Sequence, residues 1–264
     1  MFELDADKTL RPTGPGRYDG EVSARWNVGP VPNGGYVLSL AMAALEQELA
    51  GLDPLTVTAH YLRPTAPGPV AAAVETVKVG RNFSTATAAL VQGGKDTVRV
   101  LATYGRLGEA DDGPQFVDAT PPDLDRDDCL LWNRPQSMAP EIANRFESRI
   151  ARADAEAMRR GDGSEARIRG WIRFADGRPM DVHCLGLIAD AFPPPVFMVT
   201  GRGWVPTIEL TVHVRARPTS DWLLCSFRTR FLFGGLLEED GEIWDANGQL
   251  VALSRQLAGR PRAF

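Results

Sequence analysis

In the stretch CLGLIADAFPPPVFMV, residues 184 to 199, one carboxylate stands in an apolar run: Asp190, just ahead of three prolines. An ionised carboxylate taken out of water costs several kcal/mol unless it is paired or hydrogen-bonded. Its presence there has two readings, a site that needs an acid or a helix end that needs a cap. A second stretch, PNGGY (residues 32 to 36), precedes a long apolar run and sets Asn33 as a helix N-cap. Gly34 and Gly35 then leave the first-turn amides unobstructed, so Asn33, Gly34, Gly35 and Tyr36 are candidate substrate-binding residues. Free N–H groups plus the helix dipole suit an oxyanion or a phosphate, and simple capping with close packing explains the same residues. His60, His183 and His213 are isolated from one another, as structural histidines are. Arg63, Arg81 and Arg217 flank turns, where an anionic ligand or plain solvation accounts for them.

No G-x-S-x-G elbow, H-E-x-x-H or C-x-x-C occurs, which removes the usual support for a serine hydrolase or a zinc hydrolase. No metal and no cofactor are expected. Cys129, Cys184 and Cys225 are odd in number and widely spaced, matching neither a disulfide framework nor a ligand set, and a reducing cytoplasm fits them. The net charge of −5, without a Lys or Arg block, argues against nucleic acid and anionic membranes as partners. The apolar run YVLSLAMAAL is half the length of a membrane span, and the first ten residues carry acids where a secretion signal has bases.

The elements that must position these residues fall into two similar series. RYDGEVSARWNV (17 to 28) reads as a strand, and YVLSLAMAALEQELAG as a helix, apolar nearly all round, that closes on Gly51. Four alternating segments separated by turn signals follow, as antiparallel hairpins. The second half repeats the order: RFESRIARA and ARIRGWIRFA as strands, DVHCLGLIADAF as a helix, then TIELTVHVRARPT, WLLCSFRTRFL, GLLEEDGEIWD and GQLVALSRQLAG as strands. TVTAHYLRPT (56 to 65) and TVHVRARPT (211 to 219) share Thr-Val, a His and a closing Arg-Pro-Thr. The shared His and the shared Pro keep one spacing to within a residue, as a duplication would. An acidic, Pro-rich segment lies between the halves, giving an N-terminal unit 1–110, a linker 111–134 and a C-terminal unit 135–264. A helix apolar on every side is hidden most simply by curling a sheet around it. The expected fold is therefore α+β, a double hotdog.

The sequence resembles the double-hotdog acyl-CoA thioesterases of the type II, TesB-like group over nearly its whole length. The residues that carry the likeness are AHYLRPTAPGPV, VGRNFSTATAAL, LIADAFPPP, PTIELTVHVRARP and LVALSRQLA, in that order. The resemblance implies that an Asp on the second helix, a Thr on the next strand and a Gln on the last strand position an attacking water. The matching residues are Asp190, Thr207 and Gln256, with Thr211 an alternative for the threonine. Such a set suits thioester hydrolysis: a carboxylate accepts the water's proton, while a hydroxyl and an amide orient the water without competing as bases. The implied substrate is an acyl-CoA, attacked directly by water without a covalent intermediate. A non-catalytic acyl-binding hotdog and a hotdog dehydratase or hydratase are the alternatives, the latter weakened by the isolated histidines. A double hotdog supplies its own internal partner, so its state of assembly stays open and a homo-oligomer is compatible with the sequence.

Overall fold

The computed structural model describes residues 1–108, 116–132, 140–161 and 165–262. In the N-terminal half the main strands are β1 (Arg17–Val22), β2 (Asp53–Tyr61), β3 (Gly68–Lys78), β4 (Phe83–Gln92) and β5 (Lys95–Gly105). In the C-terminal half they are β6 (Phe146–Ile150), β7 (Arg167–Phe174), β8 (Thr207–Val214), β9 (Leu223–Arg228), β10 (Leu236–Asp245) and β11 (Leu250–Gly259). With three short strands at its margins they make one antiparallel sheet of 14 strands. The order along it is β1-β3-β4-β5-β2 and then β8-β11-β10-β9-β7-β6. Reading outward from the β2–β8 seam, each half runs through the same connections. This is the double hotdog, a sheet formed by two copies of one hairpin series.

The duplication extends to the register. Thr58 sits opposite Thr211 at the seam, 153 residues away, and their hydroxyls are 2.9 Å apart. The same offset relates two pairs of β-bulges: Pro54/Thr56 on β2 with Thr207/Glu209 on β8, and Leu90/Val91 on β4 with Ile243/Trp244 on β10. A bulge redirects the side chains beyond it. Its recurrence at one offset in both halves marks the two as copies more firmly than shared letters do.

The core lies inside the curl of the sheet, around helix α1 (Gly34–Glu48), whose residues from Gly35 to Leu45 are all buried. Ala, Leu and Met on every face leave this helix no surface to show water, which is why the sheet wraps it. The second central helix is shorter than expected. DVHCLGLIADAF yields a single regular turn, α3 (Leu185–Ile188), with turns on either side. The Asp181 carboxylate takes up the His183 and Cys184 amides at one end, and at the other Pro193 to Pro195 cannot continue a helix. Two further expectations change. RYDGEVSARWNV is a strand only to Val22, after which Ala24–Trp26 forms a 3₁₀ turn. RFESRIARA is a strand to Ile150, and then helix α2 (Arg152–Arg160) ends on Gly161 in the left-handed region. The Asp154 carboxylate of α2 takes a bidentate pair from Arg169 of β7, which ties the helix to the sheet. Of the expected linker, residues 111–115 and 133–134 lie outside the described residues.

Helices α1 and α3 meet at glycines. A Cβ on Gly35 would come within 2.9 Å of the Gly186 and Leu187 carbonyl oxygens, and one on Gly186 within 3.0 Å of Met42 Sδ. This close approach carries the chain following α3 to the N-terminus of α1, and Asp190 with it.

Candidate active site

Asp190 is a cap, and the helix it caps belongs to the other hotdog. Its Oδ2 accepts the Gly35 backbone N–H at 2.8 Å and Asn33 Nδ2–H at 2.9 Å. The same Asn33 amide donates to the Asp190 backbone carbonyl at 2.7 Å, while Asn33 Oδ1 accepts the Tyr36 N–H as the N-cap of α1. Asn33 thus closes the helix with one end of its amide and holds Asp190 with the other. A carboxylate facing a helix N-terminus is favoured by the dipole and the first-turn amides. Even so, desolvation outweighs these donors and raises the Asp190 pKa to about 6. The residue as a whole is half-buried, while protein surrounds its carboxyl. Both close hydrogen bonds fall on Oδ2; among the described residues none falls on Oδ1.

The sheet brings the other polar groups to the same side. Residues directly opposite in an antiparallel ladder share a face, so the row Glu239–Gln256–Leu210–Ala59 runs across β10, β11, β8 and β2 on the inner side. Gln256 is 5% exposed, and its Oε1 has no hydrogen-bond partner. An unpaired buried acceptor costs about 1–3 kcal/mol and calls for an explanation. Thr207 lies opposite Ala258, two positions along from Gln256, and the bulge between Thr207 and Glu209 turns it to the inner face as well. Thr211 pairs with Arg255 on the outer face, and its hydroxyl is engaged by Thr58 and Glu209. Of the two candidate threonines, then, only Thr207 faces the side on which Gln256 lies.

Two residues that the sequence reading passed over also belong here. Tyr61, on the inner face at the end of β2, donates its hydroxyl to the Gly34 carbonyl at 2.9 Å, and burial first and then the Asp190 charge push its pKa well up. Glu239, directly across from Gln256, is held well above the ordinary glutamate range by desolvation, with the Asp190 and Asp240 charges adding to it. The signal for Glu239 was its alternation. In LLEEDGEIWD it shares a phase with Leu237, Gly241 and Ile243, the buried side of the strand.

The expected substrate-binding group divides. The Gly35 amide is occupied by Asp190, and the Gly34 amide also acts to favour the Asp190 carboxylate, so neither stands free for a ligand as expected. Tyr36 is fully buried, stacked on Trp26 at 5.3 Å, with its hydroxyl donating to the Asp7 carbonyl and accepting from the Ser23 N–H. It is a core residue, with neither ring nor hydroxyl open to a ligand, contrary to the expectation of a substrate contact. Arg217 is paired with Asp53 at 2.6 Å, and Arg63 donates to the Asp96 carbonyl. Among the described residues no group of three or more His, Cys, Asp or Glu is placed to hold a metal, and no helix is long and apolar enough to cross a membrane.

The two halves differ where it matters. Carried through the seam, the inner-face positions of Thr207, Glu239 and Gln256 fall on Pro54, Ala86 and Ala102. The N-terminal sheet therefore has the same architecture without the polar groups, and the polar set is assembled once per chain.

Two hotdogs joined in one sheet, with a carboxylate of the second capping the central helix of the first, make the frame of a thioesterase-like double hotdog. Two family models match in tandem: the acyl-CoA thioesterase N-terminal domain over residues 22–105 and the acyl-CoA thioesterase C-terminal domain over residues 117–259. The chain belongs to the acyl-CoA thioesterase family. It is 43% identical to the thioesterase-like protein TwmA of Talaromyces wortmannii, over 88% of this chain and 84% of that one. Among solved structures, a candidate thioesterase II from Thermobifida fusca superposes with a TM-score of 0.92 at 26% identity, over 99% of this chain and 98% of the other. The acyl-CoA thioesterase II TesB2 of Mycobacterium marinum shares the fold, with a TM-score of 0.78 at 22% identity over 99% and 98% of the two chains.

Proposed function

We propose that this protein hydrolyses acyl-CoA thioesters to the free acid and CoA by direct attack of water. The observation that carries the reading is the Asp190 carboxylate, anchored through Oδ2 at the N-terminus of α1 and desolvated to a pKa of about 6. A base with that pKa is mostly ionised at neutral pH and still basic enough to take a proton from water in the transition state. Its Oδ1 is the oxygen assigned to that water. Gln256 and Thr207, on the facing sheet, orient the water or the thioester carbonyl. A water bound at this point would also offer a donor to the unpartnered Gln256 Oε1. Membership of the thioesterase family and the likeness to TwmA support the same reaction class. Since the polar set occurs once, each chain is assigned one active site, built by Asn33 and Tyr61 from the first hotdog and Asp190, Thr207 and Gln256 from the second.

The test is thiol release from a panel of acyl-CoA esters of differing length and branching, by the purified protein. Turnover of at least one ester above the uncatalysed rate supports the proposal. Tight binding of the esters without thiol release would instead make the protein an acyl-binding hotdog.

A further inference from the structure

Resting on that reading, we propose that Glu239 is the general acid of the reaction, giving its proton to the departing sulfur. Three observations on the sheet support it. Glu239 is directly opposite Gln256 on the inner face, so its side chain shares the wall on which the thioester would lie. The corresponding position in the other hotdog, with the same register and the same bulges, is Ala86, so the fold has no need of a carboxyl there. The exchange is also not isolated, because Thr207, Glu239 and Gln256 replace Pro54, Ala86 and Ala102 as a set. A carboxyl introduced with two polar groups, onto a face that is otherwise largely apolar, is placed for chemistry.

The environments of the two acids separate their roles. Around Asp190 the Gly35 amide and the Asn33 side chain favour the ionised form. Around Glu239 desolvation first, and then the charges of Asp190 and Asp240, push the carboxyl well above the ordinary glutamate range and favour its protonated form. Two carboxyls pushed apart in this way divide into base and acid. In the first step the water oxygen bonds to the thioester carbon, the water's proton passes to Asp190, and the carbonyl π pair moves to oxygen. In the second step that pair returns, the C–S bond breaks with its electrons on sulfur, and the Glu239 proton joins the sulfur to give the thiol. Asp190 is left protonated and Glu239 ionised, and proton exchange with solvent restores both. Nothing is oxidised or reduced. An alkyl thiol with a pKa near that of cysteine, about 8.5, is a mediocre leaving group as its anion, so the donated proton lowers the second barrier.

The experiment compares leaving groups. One acyl group is presented as its CoA ester and as its ester with an electron-poor aryl thiol, which leaves readily as the thiolate. Wild type, Glu239→Gln and Asp190→Asn are assayed on both, and Glu239→Ala, which installs the residue of the other hotdog, guards against a folding defect in the glutamine variant. The expected result is that Glu239→Gln and Glu239→Ala lose about 10²-fold or more in kcat/KM on the CoA ester while aryl thioester hydrolysis is little changed. Asp190→Asn is expected to lose both. Equal losses on the two esters, or no loss on either, would overturn the assignment of Glu239 while leaving the hydrolase reading intact. Failure of the wild type on both esters would remove the hydrolase reading itself and this proposal with it, whereas full activity of Asp190→Asn would remove Asp190 as the base and overturn the division of the two acids.

Discussion

Substituting Asp190 with Asn tests the site through stability as well as rate. Asparagine keeps the size of the side chain and an oxygen that can still accept from Gly35 N–H and Asn33 Nδ2–H, so the α1 cap survives. What disappears is the charge. A carboxyl with a folded pKa of about 6 against an ordinary value of 3.8 corresponds to about 3 kcal/mol of unfavourable free energy when ionised in the folded state. The sign follows from proton binding. Between these two values the folded chain holds a proton that the unfolded chain has lost, so wild-type stability falls as pH rises from about 4 to about 6 and is unaffected by this group outside that window. Asp190→Asn is expected to remove that fall. The variant should equal the wild type near pH 4 and exceed it at pH 8 by up to about 3 kcal/mol, or roughly 6–12 °C in Tm for a chain of this size. Turnover of an acyl-CoA at saturation should drop by about 10²–10⁴-fold, and the rise of wild-type kcat/KM with pH through about 6, the ionisation of the base, should be absent. Denaturant melts at pH 4 to 8 and thiol-release kinetics over the same range measure both. A variant that loses stability at pH 8 would show that the carboxylate is there to hold the fold. Undiminished turnover would show that it is not the base.

The threonines give a contrast. Thr207→Val should lower kcat by about 10-fold or more, whereas Thr211→Val, on the outer face with its hydroxyl bonded to Thr58 and Glu209, should leave turnover intact at a stability cost of about 1 kcal/mol; the reverse pattern would exchange their roles. Gly35→Ala would place a Cβ 2.9 Å from two backbone carbonyls and 3.0 Å from Asp190 Cβ. Because backbone atoms cannot swing aside, the variant should lose about 1–3 kcal/mol by overpacking and most of its activity as Asp190 is displaced, which a melting curve and a rate assay check together. Gln256→Ala should reduce kcat/KM by about 10²-fold without loss of stability, since it removes an acceptor that is already unpaired.

The fold was legible because the sequence writes it twice. Repeated turn signals and alternation gave the hairpin order, and an all-apolar helix required a sheet curled around it. The second helix was less legible: its apolar run looked complete, but the Asp181 cap and the Pro193–Pro195 stop compress its regular part to one turn. Helix α2 escaped because it follows the strand directly, with Ala151 at its N-cap position and no capping side chain to mark the change, and the Asp154–Arg169 pair that holds the helix is a tertiary contact. At the site, Asp190 showed itself as a charge in an apolar run. Its cap role is real but not local, since it caps a helix from the opposite hotdog, a relation between residues 155 positions apart that local sequence does not display. Gly34 and Gly35 were read as free donors for the same reason. For Tyr36, adjacency to the N-cap says nothing of direction, and its ring points into the core onto Trp26. The choice between Thr207 and Thr211 turned on a bulge, which reverses the alternation within β8 and leaves no mark in the residue types.

The central claim is that Asp190 activates water and does not itself attack the thioester. A single turnover in H₂¹⁸O, with enzyme in excess over acyl-CoA, measures this directly. Direct attack predicts one ¹⁸O in the released acid and none in the protein, read by mass spectrometry of the acid and of the peptide containing Asp190. Unlabelled acid in that first turnover, with ¹⁸O in the Asp190 carboxylate, would mean that an acyl-aspartyl anhydride had formed, and would contradict the account.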